Sequence, residues 1–318
     1  MRFENGQQII RTRDDPMPVT LVRGDSSLEA NDCFRLAEGV SCSWAEANRE
    51  FRSEKLRERI EPWLTALCQS EHLSLLVGSG LTHAVHGLAT DASLPGMNTV
   101  GFNTLGDVIE AEVKRTAQEL ERGEGNIEDQ IRVVNELLRG LRILEAKKPD
   151  DDKVRDDVNH LLQELQKGQY AEHLRNELTE ALQSFVTSIL ESEHNLASAS
   201  DDKRETAFTY LVSFLMTFAS RSGTRDRLHL FTTNYDRYIE IGADVAGLRL
   251  VDRFVGTIAP IFRASRLDVD LHYNPPGIRG EPRYLEGVAR FSKLHGSVDW
   301  VDCHGEIRRI GLPFGANA

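Results

Sequence analysis

The stretch that decides the fold is LSLLVGSGLT, residues 73–82, in which an apolar run ends in a Gly-x-Gly turn. The run over residues 73–77 is short and almost wholly apolar, which is typical of a buried parallel strand. Glycine at such a turn either permits a positive φ or lets backbone N–H groups approach an anionic pyrophosphate. We therefore interpret Gly78, Ser79 and Gly80 as a phosphate-binding turn, with a purely structural loop as the alternative.

The same stretch disfavours a dehydrogenase. His83 stands where the full dinucleotide fingerprint has its third glycine, and no acidic residue follows at the expected distance. The residues after the turn favour a helix, whose dipole would attract the negative charge of a phosphate. The turn is thus compatible with nucleotide binding but departs from the dehydrogenase motif.

Several other segments predict strands and helices around this stretch. Apolar runs bounded by turn residues predict strands at residues 19–22, 228–233, 249–255 and 284–291, and one that enters His295. A helix is predicted over residues 43–69, with Ser43 as its cap, Glu46 three positions on, and Pro62 interrupting it near its end. Together these elements predict an α/β fold with a Rossmann-like parallel sheet.

A helical module is predicted to interrupt the sheet segments. Apolar side chains recur at helical spacing in residues 105–120, 127–144, 154–165 and 174–189. Gly123-Glu124-Gly125 and Lys148-Pro149-Asp150 separate these segments, and a more apolar helix follows at residues 206–219. We predict three parts: an N-terminal extension and helix (1–70), a nucleotide-binding domain (71–104 plus 205–318) and a helical insertion (105–204).

The composition limits the classes of function. The chain has 318 residues, 40% of them hydrophobic, which is enough for one large or two moderate domains with a core. Its 50 acidic and 38 basic residues give a formal net charge of -12, which makes direct nucleic-acid binding an unfavoured function. The start of the chain has no apolar signal core, and the longest apolar stretch is too short for a membrane span. We therefore expect a cytoplasmic protein that does not bind membranes.

The cysteines also indicate a cytoplasmic protein. Cys33, Cys42, Cys68 and Cys303 are too few and too scattered for a disulfide framework, which indicates a reducing compartment. They contain no Cys-x-x-Cys pair of the kind that binds structural zinc. Cys303 and His304 could form half of a metal site, but the sequence shows no second half, so we expect neither a metal site nor zinc.

Two polar side chains follow predicted strands and are candidates for catalysis. Asn234 comes directly after residues 228–233, where open α/β sheets place groups that contact ligands, although it could instead cap a helix from Tyr235. His295 also follows a strand, and Gly296 beside it permits close approach. A lone histidine in such a setting is more often a structural or surface residue. Neither side chain is decisive by itself.

Together, the glycine turn, Asn234 and His295 fit the cleavage of a nicotinamide–ribose bond. Oxidised nicotinamide is a cationic leaving group, so its departure creates an oxocarbenium-like state without the help of a metal. The site needs one group that orients the ribose and an attacking water, and one base. A carboxamide can hold a hydroxyl and a water together, and an imidazole titrates near working pH. Asp236 could stabilise the positive charge on the sugar or simply anchor the loop.

These motifs resemble the sirtuin superfamily, and more specifically its bacterial sirtuin-like branch found in anti-phage defence. The Gly-Ala-Gly-x-Ser turn of sirtuins is similar to Gly78-Ser79-Gly80-Leu81-Thr82. Their Thr-Gln-Asn-x-Asp string is similar to Thr232-Thr233-Asn234-Tyr235-Asp236, with Thr233 in place of glutamine, and their His-Gly pair is similar to His295-Gly296. Residues 249–262 and 293–300 are more similar to the defence branch than to deacylases.

The resemblance assigns roles to these residues. It implies that Asn234 and His295 are catalytic. It also implies that NAD, as the substrate, is bound by Gly78, Ser79, Gly80, Thr82, Thr233, Asp236, Gly296 and Ser297. The chain departs from the protein deacylases because it lacks their four-cysteine zinc module and the Gly-Ile-Pro-Asp-Phe-Arg segment after the glycine turn. Later nucleotide-binding glycine segments of the family are also missing.

The function implied by the resemblance is that of an NAD glycohydrolase, which releases nicotinamide and ADP-ribose and depletes NAD in anti-phage defence. The family also implies a homo-oligomer and suggests a HerA-type ATPase as partner. Two alternatives stay open. The chain could be a nucleotide-binding or assembly module without catalysis, which its acidic composition and helical module also suit. Less favoured, because the zinc module is absent, is an NAD-dependent protein deacylase.

Overall fold

The protein has a mixed α/β fold made of two compact units. The computed structural model describes residues 8–10, 14–24, 33–47, 49–94, 96–145, 160, 163–165, 168–221, 226–265, 269–273 and 283–316. The first unit comprises residues 1–73 and 221–228, and the second comprises residues 74–220 and 229–318. Each unit is described below by itself.

The first unit contains a four-stranded antiparallel sheet followed by a helix. Its strands β1 (Gln8–Ile10), β2 (Val19–Arg23), β3 (Cys33–Leu36) and β4 (Phe51–Arg52) lie in sequence order, and helix α1 (Ser53–Cys68) follows. The apolar side chains that alternate along the strands form the core of the unit with Trp44 and Leu56. The strand predicted at residues 19–22 is confirmed as β2.

The helix predicted from Ser43 is wrong over its first ten residues. Both carboxylate oxygens of Asp15 are occupied in this region: one accepts the backbone N–H of Ser43 at 2.7 Å, and the other accepts the indole N–H of Trp44 at 3.1 Å. Ser43 therefore caps no helix, and the chain pairs as β4 before α1 begins at Ser53. Pro62 lies inside α1 and does not end it.

The second unit is built on a four-stranded parallel sheet. Its strands are β5 (Ser74–Val77), β6 (His229–Thr232), β7 (Arg249–Val251) and β12 (Val288–Lys293), in the spatial order β5-β6-β12-β7. Helix α2 (Ser79–Thr90) follows β5, and helix α7 (Tyr238–Ala246) follows β6. The strands predicted at residues 73–77 and 228–233 are confirmed to within one residue at each end. The prediction that residues 73–77 are buried is wrong, because β5 lies at the edge of the sheet and its Leu76 is 67% exposed.

Two predicted strands have different bounds because the backbone turns inside them. In residues 249–255, the side chain of Asp252 accepts the N–H of Phe254 at 2.9 Å, and this turn separates β7 from β8 (Phe254–Val255). In residues 284–291, Gly287 has a φ of +65°, so the extended chain is interrupted before β12. The strand that enters His295 is β12 itself, which ends at Lys293.

A second, antiparallel sheet follows in the same unit. It pairs β8 with β9 (Ile261–Phe262), β13 (Trp300–Cys303) and β14 (Glu306–Arg309) in the order β13-β14-β9-β8. The rings of Phe254, Phe262 and Trp300 pack within 5.8 Å of one another. Strands β10 (His272–Tyr273) and β11 (Arg283–Tyr284) form a separate antiparallel pair.

The helical region lies in the second unit as well. Helices α3 (Gly106–Glu119), α4 (Ile127–Glu145) and α5 (Tyr170–Ala197) share a core that includes Ile109, Val113, Val134, Leu138 and Leu174. The predicted segments 105–120, 127–144 and 174–189 are confirmed, as is the break at Gly123–Gly125. The break at residues 148–150 and most of the predicted segment 154–165 fall outside the described residues.

Helix α6 (Asp201–Ala219) contains the longest apolar stretch of the chain. It packs against α2 and α7, and its side chains Leu211 and Leu215 are fully buried. The predicted helix at residues 206–219 is confirmed and begins five residues earlier. Among the described residues, no helix has the length and apolar character needed to cross a membrane.

A buried ion pair joins α5 to the loop after β6. Glu193 is 0% exposed and Arg237 is 7% exposed, and their side chains form a charge-assisted contact of 2.5 Å between Nη2 and Oε2. Glu193 also accepts the backbone N–H of Arg237 at 2.8 Å, and the guanidinium donates to the carbonyls of Leu312 and Pro313. This pair connects three distant parts of the chain.

We predict that Glu193→Ala destabilises the fold strongly, because Arg237 would then be a buried charge without its partner. The expected loss in the free energy of unfolding is about 3–5 kcal/mol. Urea unfolding followed by circular dichroism measures the loss. Glu191→Ala, an exposed change on the same helix, is the control and should alter stability little. Equal midpoints for the two variants would contradict the prediction.

Candidate functional site

The three motifs of the sequence meet at one edge of the parallel sheet. In the register of the strands, Val77 lies opposite Thr232, and Thr232 lies opposite Lys293. The three strands run parallel, so the residues after this row leave the sheet at the same edge. This edge is formed by the carboxyl ends of the strands, where ligands of open α/β sheets bind. The register therefore brings the glycine turn, Asn234 and His295 together.

The glycine turn forms the start of helix α2. Gly78 is the N-cap with a φ of −108°, and Ser79 and Gly80 belong to the first helical turn. Neither glycine has a positive φ, so a left-handed turn does not explain them. A Cβ added at either position would meet no described atom within 4 Å. Neither a positive φ nor a close contact within the described chain therefore requires glycine at these two positions.

The side chain of Asn234 is held by two hydrogen bonds to the segment that directly follows β5. Its side-chain Nδ2 donates to the carbonyl of Gly78 at 3.0 Å and to Oγ1 of Thr82 at 2.9 Å. The contact with a carbonyl fixes which end of the amide carries nitrogen. Both amide hydrogens are thus used, and Oδ1, which makes no hydrogen bond in the described part of the chain, is the end left for a ligand. Helix α7 begins only at Tyr238, so Asn234 is not its cap.

Thr82 and Asp236 continue this network. The hydroxyl of Thr82 accepts from Asn234 and donates to Oδ2 of Asp236 at 2.7 Å. The other oxygen of Asp236 accepts the backbone N–H of Tyr238 at 3.1 Å. All three side chains are more than nine-tenths buried. Asp236 therefore anchors the loop to α2 and α7, which is one of the two roles considered for it.

A cavity of about 240 Å³ opens at this edge of the sheet. Six of the ten predicted site residues line it, namely Ser79, Thr82, Thr233, Asn234, Asp236 and His295. The other four, Gly78, Gly80, Gly296 and Ser297, are not part of its lining. Of these, Gly78 and Ser297 contact residues that line the cavity. The carbonyl of Gly78 accepts from Asn234, and the hydroxyl of Ser297 donates to the carbonyl of Tyr235 at 3.3 Å. Gly296 has a φ of +95° and turns the chain after His295.

Apart from Tyr235 and His83, which lie next to the predicted site residues in sequence, the remaining wall of the cavity comes from residues that the sequence did not identify. Helices α4 and α5 contribute Glu128, Phe185, Ser188, Ile189 and Ser192. Leu94, Gly96 and Met97 come from the segment after α2, and His83 comes from α2 itself. The helix residues follow the ordinary helical pattern of their segments, so nothing in their spacing separates them from their neighbours.

His295 is paired with a carboxylate from the helical region. Its Nδ1 lies 3.1 Å from Oε1 of Glu128, and the phenol of Tyr235 donates to the same oxygen at 2.8 Å. Burial and, second, the bond to Glu128 raise the pKa of Tyr235, so its phenol stays protonated. Phe185 packs edge-on against the ring of Tyr235 at 5.5 Å. The imidazole of His295 is half-exposed to solvent.

A second buried network supports the floor of the site. The phenol of Tyr238 donates to the carbonyl of Ser192 at 3.0 Å and accepts from Nδ1 of His86 at 3.2 Å. Burial lowers the pKa of His86, so this ring is neutral at working pH. The network joins α2, α5 and α7 behind the cavity, and it keeps the Ser192 end of α5 beside the loop of Asn234.

The arrangement can bind polar and apolar groups side by side. Asn234, Thr82 and Asp236 offer a fixed polar edge, and Phe185, Ile189 and Met97 offer an apolar wall. Within the described ranges, no cluster of three or more His, Cys, Asp or Glu side chains is arranged to hold a metal ion.

No model of a known protein family matches the chain, and no curated protein matches it significantly.

We predict that Thr82→Val destabilises the protein, whereas Thr82→Ser does not. Valine matches the shape of threonine but leaves one amide hydrogen of Asn234 and the Oδ2 atom of Asp236 without their buried partner. The expected loss is about 1–3 kcal/mol in the free energy of unfolding, measured by urea denaturation. Serine keeps the hydroxyl and is the matched control. If both variants unfolded at the same urea concentration, the hydroxyl would not support the network.

Proposed function

We propose that the protein is an NAD glycohydrolase, which cleaves the nicotinamide–ribose bond and gives nicotinamide and ADP-ribose. The observation that carries the proposal is the placement of Asn234 and His295 in the lining of one cavity, at the carboxyl edge of a parallel sheet. The resemblance of the three motifs to sirtuin-like proteins supports the same activity.

The proposed reaction uses these two residues for different tasks. Oδ1 of Asn234 accepts a hydrogen bond from a ribose hydroxyl or from the attacking water, because its nitrogen is already committed to Gly78 and Thr82. The water oxygen forms the new bond to the anomeric carbon, and the C–N bond electrons leave with nicotinamide, which becomes neutral. Nε2 of His295 takes the proton that the water loses. Atoms and charge balance with the release of one proton to solvent.

The glycine turn suits the phosphate half of the substrate. The first turn of α2 carries free backbone N–H groups and the positive end of a helix dipole. Because no side chain occupies Gly78 and Gly80, a pyrophosphate could approach this backbone closely. Ser79 and Thr233, which line the same cavity, could donate to its oxygens. Gly296 and Ser297 would act by shaping the turn that carries His295.

The broader assignments belong to the same proposal. The parallel sheet would be a Rossmann-like NAD-binding domain, and residues 105–204 would be a helical insertion into it. We propose a cytoplasmic anti-phage effector that depletes NAD as a homo-oligomer, with a HerA-type ATPase as a partner suggested by the resemblance alone. The four free thiols support a reducing compartment. A nucleotide-binding module without catalysis is the outcome that the first experiment below would distinguish.

We predict that Asn234→Ala and His295→Ala both abolish nicotinamide release from NAD, followed by chromatography. Loss of a base or of an orienting group costs roughly 10²–10⁴-fold in rate. His272→Ala, a change at an exposed histidine that does not line the cavity, is the control and should keep the parent rate. Parent activity retained by His295→Ala would refute the assigned base. Binding of NAD without turnover by the parent would favour the binding module.

We also predict opposite effects of Gly80→Ala on stability and on binding. The added methyl meets no atom of the folded chain and removes a flexible glycine from a helix, so stability should rise by about 0.5–1 kcal/mol. The same methyl would stand where the pyrophosphate approaches, so NAD binding measured by calorimetry should weaken. Gly140→Ala in α4, also facing open space, should raise stability and leave binding unchanged. Unchanged binding in Gly80→Ala would place the phosphates elsewhere.

A further inference from the structure

Glu128 stands out because it is the carboxylate that contacts the imidazole of His295. It lies in the first turn of α4, where the helix dipole favours an ionised acid. His295 lies after β12, 167 residues further along the chain. Oε1 of Glu128 receives both the phenol of Tyr235 and Nδ1 of His295, and the two bonds measure 2.8 and 3.1 Å. This oxygen therefore joins the helical region to both the loop after β6 and the segment after β12.

The proton positions follow from the chemistry of the three groups. An ionised carboxylate only accepts hydrogen bonds, so the phenol must donate to it and Nδ1 of His295 must carry a hydrogen. A neutral imidazole with its hydrogen on Nδ1 has a free lone pair on Nε2. This is the tautomer that a base needs when its working nitrogen is Nε2. When Nε2 takes a proton, the negative charge of Glu128 lies next to the new positive charge and stabilises it.

We propose that Glu128 is the positioning residue for His295, which fixes the tautomer and orientation of the imidazole so that Nε2 faces the substrate as a base. The inference rests on the proposed NAD cleavage and deepens it. The helical region then belongs to the catalytic site, because α4 supplies the carboxylate that orients the imidazole of His295. Tyr235, which is adjacent to Asn234 in sequence, holds Glu128 in place from the loop side.

The variant that tests the proposal is Glu128→Gln in the full chain. Glutamine keeps the size of the side chain but removes its charge, and it can present an N–H to the imidazole. The rate of nicotinamide release at saturating NAD should fall by at least roughly 10- to 100-fold, the cost seen when the carboxylate that orients a metal-binding histidine is lost. The KM for NAD should change by less than about twofold, because Glu128 acts on the base and not on ground-state binding.

The pH dependence provides a readout that a merely structural role would not move. Without the carboxylate, the protonated ring is less stable, so the acid limb of the rate profile should move to lower pH. The other titratable groups in the cavity lining, His83, Tyr235 and Asp236, are unchanged in the variant. Tyr235→Phe should move the acid limb to higher pH. Glu128 then no longer accepts the phenol, so its charge stabilises the protonated imidazole more strongly. Glu136→Gln, an exposed change on the same helix, should move neither the rate nor the limb.

Proton NMR of the histidine rings tests the pairing without substrate. The His295 signal is assigned by its absence in His295→Ala, and its titration midpoint should fall in Glu128→Gln and stay in Glu136→Gln. An unmoved midpoint would overturn the proposal whether or not NAD is cleaved. A shifted midpoint with an unchanged rate would overturn the positioning role. If the parent cleaves no NAD, the proposed function fails, while a shifted midpoint would still establish the pairing.

Discussion

The buried ion pair between Glu193 and Arg237 holds the loop that carries the candidate site. Two opposite charges removed from water are costly unless each is fully matched by hydrogen bonds. Here the carboxylate receives the guanidinium and the backbone N–H of Arg237, and the guanidinium also reaches two carbonyls near the end of the described chain. The loop directly before Arg237 contains Asn234 and Asp236, so this pair places them beside α5.

The polar network of the loop gives Asn234 a single orientation. A carboxamide can rotate and present either its acceptor oxygen or its donor nitrogen. The Gly78 carbonyl and the Thr82 hydroxyl remove this freedom because both amide hydrogens are already bound. In a buried setting such a network is specific, since every unmet partner is expensive. The result is a fixed acceptor, Oδ1, in the wall of the cavity.

The cavity is shared between the sheet edge and the helical region. The sheet edge contributes the polar groups, and α5 contributes an apolar wall at Phe185 and Ile189. This division suits a substrate with a charged, hydroxyl-rich part and a flat ring. Glu128 links the two sides through His295 and Tyr235, so the chemistry of the site depends on helices that the sequence pattern describes only as a packed module.

The sequence by itself determined the elements whose pattern repeats over many residues. The helix α4 was predicted almost to the residue because Ile131, Val134, Leu138 and Leu141 repeat its buried face over several turns. The strand before Gly78 was also predicted, because a short apolar run that ends in glycine is typical of a strand. Short segments were less certain: Asp252 and Gly287 end strands through local turns that an apolar pattern does not register.

Only the tertiary structure decided how the candidate site is completed. Asn234 could instead have capped a helix, but α7 begins only at Tyr238 with Arg237 as its N-cap. The amide nitrogen of Asn234 binds the carbonyl of Gly78, 156 residues away. Glu128 is one of many acids on a helix surface, and its importance appears only when the fold brings it within 3.1 Å of His295. Local sequence encodes periodicity and turns, since these depend on neighbouring residues. A hydrogen bond between groups far apart in the chain depends on how the elements pack, and that information is distributed over the whole sequence.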